Sequence, residues 1–147
     1  MSQVYSITIF SDTRIISSNN PGSAESASFI PHGFIGFNAP GEIAEYYGFA
    51  PQAGSTPVGA GAVTSQVDSQ GRLHEWDFAL TIEVSEAQFN AMYNRHLELQ
   101  ANPPTYIFPV YDCISGYLNN LLYAGAAADP LNGGKLLGIS SVLSYPV

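Results

Sequence analysis

Residues 4–10 (VYSITIF) alternate apolar and polar side chains, the two-residue period of a half-buried strand. The polar stretch 17–28, with its Pro21-Gly22 pair, predicts a loop. Residues 29–37 (FIPHGFIGF) predict a second strand, with Pro31 near its start. Asn38-Ala39-Pro40-Gly41 is a strong turn signal, and 42–49 (EIAEYYGF) reads as the returning strand of a hairpin. The Gly/Pro/Ser-rich segment 51–61 predicts a surface loop of the kind that borders sites. A short strand over 62–67 and a turn over 68–71 follow. Residues 74–84 (HEWDFALTIEV) alternate most clearly of all. His74, Trp76, Phe78, Leu80, Ile82 and Val84 share one face of that strand, and Glu75, Asp77, Thr81 and Glu83 the other.

The period then changes. Ser85, with Gln88 three positions on, has the form of a capping box. Phe89, Met92, Tyr93, His96 and Leu97 follow at helical spacing, and Pro103-Pro104 ends that helix. Residues 106–110 are short and extended. Ile114, Tyr117, Leu118, Leu121 and Leu122 stand at i, i+3, i+4, i+7 and i+8, the apolar stripe of a second helix, with Gly125 as its stop. The remainder predicts a loop through Asn132-Gly133-Gly134 and a last strand over 136–143. Neither an internal repeat nor a domain boundary interrupts the chain. Its 147 residues therefore read as one α+β domain, 1–147, around one core.

Composition narrows the function. The formal net charge is −8, and the four basic residues (Arg14, Arg72, Arg95, Lys135) are scattered. They cannot form the patch that neutralises phosphates, so nucleic acid and anionic membranes are excluded as expected partners. One cysteine excludes an internal disulfide and thiolate-based zinc sites. His32, His74 and His96 match no metal-binding spacing, so neither metal nor cofactor is expected. No apolar run approaches the roughly 18 residues of a membrane span, so no membrane insertion is expected. Met1-Ser2-Gln3-Val4-Tyr5 lacks the basic start and apolar run of a secretory signal, so the expectation is a chain made in the cytoplasm without a signal peptide.

Cys113 stands one position before the second apolar stripe, at the start of its helix. The helix dipole and free N–H groups there favour thiolate and can donate to an oxyanion. A lone cysteine is more often a small buried hydrophobe. His32 is the candidate base. If 38–41 form a four-residue loop, Phe37 pairs with Glu42 and His32 lies opposite Tyr47. Glu45 then falls on the His32 face as a diagonal neighbour, able to orient the imidazole. A one-residue slip sends Glu45 to the other face, with Tyr47 as the fallback. Asp112 fits a helix cap. Tyr106 or Tyr111 can add a hydroxyl donor, and the sequence does not choose between them. His74 and His96 read as core or edge histidines.

Asp112-Cys113-Ile114-Ser115-Gly116-Tyr117-Leu118 resembles the Asp-Cys-Ser-Gly signature that opens the catalytic helix of NlpC-like cell-wall peptidases, with Ile114 inserted. His32-Gly33-Phe34-Ile35-Gly36-Phe37 is similar to that family's histidine strand, and Glu45 matches the place of its third polar residue. The chain order His32, Glu45, Cys113 resembles the permuted members of the superfamily, above all amidase-like effectors of type VI secretion. Two departures stand: the Ile114 insertion, and Asp112 where the permuted relatives usually carry Asn. The resemblance implies a circularly permuted papain-like fold, an antiparallel sheet packed on a few helices. It implies a cysteine amidase cutting peptidoglycan stem peptides after injection into a target periplasm, and a cognate immunity protein as partner. The alternatives are a lipid acyltransferase or thioesterase of the permuted superfamily, or a non-catalytic β-rich binding module.

Overall fold

The computed structural model describes residues 4–12, 32–52, 58–107 and 111–142. Six strands form one antiparallel sheet: β1 Tyr5–Asp12, β2 His32–Asn38, β3 Glu45–Pro51, β4 Val58–Ser65, β5 Phe78–Val84 and β6 Thr105–Ile107. Their spatial order is β5-β1-β2-β3-β4-β6. The helices are α1 Glu86–Ala101, α2 Asn119–Ala128 and α3 Gly134–Val142, and α2 continues a π turn, Cys113–Leu118. The class is α+β. Among the described residues no helix is long and apolar enough to cross a membrane.

The sheet has two differently used faces. Ile7 and Ile9 of β1, Ile35 and Phe37 of β2, Phe49, Val63, Ile82 and Val84 form the core with Phe89, Met92 and Leu99 of α1 and with Tyr117, Leu118, Leu121, Leu122 and Leu136. On the opposite face Phe10 stacks on Phe34, ring centroids 4.6 Å apart, and meets Tyr46 and Trp76. Helix α1 starts as its sequence dictates. The Ser85 hydroxyl accepts from Gln88 N at 3.1 Å, and the Gln88 side chain accepts from Ser85 N at 3.0 Å.

Several expectations are corrected. The turn at Pro40-Gly41 forms, closed by Glu42 N donating to Ala39 O at 3.1 Å, with Gly41 at φ 75°. Pairing does not resume at Glu42, however. Phe37 pairs with Glu45, three residues beyond the expected partner. Size complementarity explains the register: Gly36 faces Tyr46, whose ring fills the space where a Cβ would stand, and Phe34 faces Gly48. The expected loop 51–61 is strand from Val58, because Gly61 lets the Phe49 ring and the Pro104 carbonyl close on it. Residues 53–57 lie outside the described residues, as do 17–28 and 29–31 of the expected loop and strand, and 108–110 of the expected extended segment.

The long strand 74–84 starts only at Phe78. The irregular backbone before it carries His74 and Trp76 to the face of Phe10 and Phe34 rather than that of Leu80. Gly125 does not end its helix. A Cβ there would stand 2.9 Å from Leu136 and Met92, so the glycine lets three helices approach closely. The expected last strand is helix α3. Leu136 and Ser140 are buried and Ile139 partly so, while Leu137 is exposed, which is a helical period.

Candidate active site

Cys113 opens the π turn. The Asp112 carboxylate caps it: Oδ1 accepts from Ile114 N and Ser115 N, both at 2.9 Å, and from Ser115 Oγ at 2.8 Å. The Asp112 carbonyl accepts from Tyr117 N at 3.0 Å, an i→i+5 bond. Such a turn holds one residue more than an α turn. The β2–β3 ladder ends at Phe34 and Gly48, while β3 continues to pair with β4 as far as Pro51. Where β2 and β3 part, Gly33 N donates to Cys113 Sγ at 3.3 Å. A Cβ on Gly33 would stand 2.9 Å from Ile114 and 3.1 Å from Leu118, so glycine is what lets the π turn sit on β2.

The surroundings of the sulfur differ from expectation. Cys113 is 1% exposed. The first amides of the turn are not open to an oxyanion, because the Asp112 carboxylate has taken those of Ile114 and Ser115. That carboxylate is itself fully buried, and its Oδ2 has no hydrogen-bond partner among the described residues. Its charge counteracts the preference of a helix start for thiolate. Tyr106 is buried, and its hydroxyl is pushed well above the usual range by burial and then by Cys113 and Asp112, so it stays a neutral O–H donor. Tyr111 is placed elsewhere. Its ring covers Gly116 and its hydroxyl accepts from Asn120 Nδ2 at 3.3 Å. A groove of about 310 Å³ runs beside the π turn, lined by Tyr111, Ser115, Gly116, Asn119, Asn120 and Tyr123; neither Cys113 nor His32 lines it.

His32 opens β2, next in the chain to the glycine that holds the sulfur, but its ring lies on the Phe10–Phe34 face whereas Cys113 packs in the core of the helix-covered face. Its Nε2 lies 2.7 Å from Gln66 Oε1. The Gln66 amide nitrogen donates to the Thr64 carbonyl at 3.3 Å, which turns the oxygen to His32. Nε2 therefore carries the hydrogen and Nδ1 the lone pair. Burial, and then the neighbouring His74, push the His32 pKa down to about 4, against the Gln66 hydrogen bond and the Asp12 charge. At neutral pH the imidazole is a free base. Asp12, 2% exposed, is the cross-strand partner of His32 on β1. The His74 ring lies 4.8 Å from that of His32.

Glu45 is not beside His32. The register shift is odd, so it turns Glu45 to the helix-covered face, where it accepts from the Tyr47 and Tyr93 hydroxyls. Tyr47 pairs with Ile35 and stacks on His96, centroids 4.0 Å apart, so it does not orient His32 either. His96 is fully buried on α1, with Nδ1 2.8 Å from the Tyr117 hydroxyl. Sequence reasoning missed Gln66 and Asp12 as neighbours of His32. Asp12 continues the Thr8, Phe10 face of β1, a signal that extends past the expected strand end; Gln66 carries no local signal. Among the described residues no group of three or more His, Cys, Asp or Glu side chains is placed to hold a metal ion. No protein-family model matches the chain, and neither a curated protein nor a solved structure matches it.

Proposed function

We propose that this chain is a cysteine hydrolase that cleaves amide bonds, with Cys113 as nucleophile and His32 as base. The observation that carries this is one junction. The Cys113 sulfur sits on the amide of Gly33, one residue along the chain from a His32 whose Nε2–H is held by an amide oxygen. An amide in the third position is also how Cys-His-Asn sites orient their imidazole. In this reading the end of β2 turns the His32 ring from its own face of the sheet to the sulfur, Nδ1 takes the Cys113 proton, and the thiolate attacks the amide carbonyl carbon. The Tyr106 O–H donates to the oxyanion. The imidazolium returns its proton to the leaving amine as the C–N bond breaks, and water then hydrolyses the thioester to acid and free thiol. The Ile114 insertion in the NlpC-like signature falls within the π turn, which has room for one extra residue. The substrate class is then the stem peptide of peptidoglycan, the setting a type VI secretion effector, and the protein partner an immunity protein covering the site.

The burial of Cys113 and its carboxylate cap favour a second reading, a non-catalytic module with a structural thiol. Incubating the protein and Cys113→Ala with peptidoglycan sacculi, with products read by mass spectrometry, separates the two. New muropeptides from the unmodified protein alone support the hydrolase. No products from either, with Cys113 inert to iodoacetamide until unfolding, establishes the structural thiol.

A further inference from the structure

We propose that His74 is a positioning residue for His32: a small hairpin sets the Gln66 amide on the edge of the His32 ring and the His74 ring against its face, keeping His32 in the base form. This rests on reading His32 as the base.

The hairpin is built by the main chain. His74 N donates to Gln66 O at 2.8 Å, Val67 bridges to Leu73, and Asp68 N donates to Arg72 O at 2.9 Å. Gln66 and His74, which flank His32, are therefore tied directly to each other. The His74 ring is 4.8 Å from His32 and meets Phe34 edge-on at 5.4 Å, while Phe34 stacks beneath His32 at 5.7 Å. His74 Nδ1 lies 2.7 Å from the Glu75 carbonyl, which can only accept. So Nδ1 carries a hydrogen and the ring is fixed. The charged residues around this pair are Asp12 at the end of β1, Glu75 and Asp77 flanking Trp76, and Arg72 paired with Asp68 in the turn. Asp12 favours a proton on His32. A proton on His74 opposes one.

The test is the titration of His32 ring signals by NMR in the unmodified protein, His74→Phe and His74→Lys. The phenylalanine keeps the packing and removes the charge, so the His32 midpoint should rise by about half a unit or more. The lysine keeps a charge, so the midpoint should stay at or below its original value. His74→Asn serves as a second neutral replacement if the phenylalanine does not pack. A purely structural role would move the phenylalanine and lysine variants alike. Equal shifts, or no shift in either neutral variant, would overturn the proposal. The readout needs no catalysis. Loss of the hydrolase reading appears separately, as equal activity of the unmodified protein and Cys113→Ala on sacculi.

Discussion

His32 and His96 sit on opposite faces of the same sheet, and burial pushes both down to a pKa of about 4. Their wiring is unlike. His96 lies under α1 with Nδ1 on the Tyr117 hydroxyl, Tyr47 stacked on its ring, and a buried Nε2 that has no hydrogen-bond partner among the described residues. His32 has its Nε2 edge fixed by a side-chain amide, a second imidazole on its face, and a chain neighbour that binds the sulfur. Depressed basicity is thus a mark of burial common to both. What separates a candidate base from a core histidine is which nitrogen is committed, and to what.

The contrast breaks if the two histidines behave alike. Cys113→Ala and His32→Ala should each lower amide cleavage by about 1,000-fold or more, measured as kcat/KM on a stem peptide. Acid should act on both faces. The folded pKa of each histidine lies below its ordinary 6.5, so the unfolded chain takes up protons first as the pH falls. Their contribution is complete above about pH 6.5 and is lost progressively down to about pH 4, on the order of 3 kcal/mol for each histidine by urea denaturation across that window. Gln66→Ala frees the His32 ring and should lower kcat/KM by about 10- to 100-fold, with little change in urea midpoint. Tyr117→Phe removes the hydrogen bond between the Tyr117 hydroxyl and the His96 ring and should cost about 1 kcal/mol of stability while leaving kcat/KM within a few-fold.

Local chemistry was legible in the sequence wherever it determines structure alone. The Ser85–Gln88 capping box, the alternation over residues 4–10 (strand from Tyr5) and the buried stripe from Ile114 to Leu122 stand close to where their patterns put them. The hairpin register was not, because the turn residues fix where the chain reverses but not where pairing resumes. That was decided by Tyr46 over Gly36 and Phe34 over Gly48, cross-strand fits between distant positions. Glu45 was lost from the candidate site for that reason. Gln66 was invisible for a related one. It reaches His32 from a loop joining β4 to β5, and no spacing in the chain encodes that approach. Parity counted from Val84 back to His74 failed because Asp77 and the residues before it are not strand.

The π turn also governs how this chain tolerates changes of length. An element with one surplus residue can absorb a single-residue deletion within itself, without borrowing from a loop. Removing Ile114 would tighten the turn to ordinary helical pitch and leave Asp112, Cys113 and the Leu118–Leu122 stripe continuous in sequence. It would also take away the side chain that rests on Gly33. Glycine at position 33 and the surplus residue at 114 are thus matched, and a chain that loses Ile114 keeps only Leu118 against that glycine.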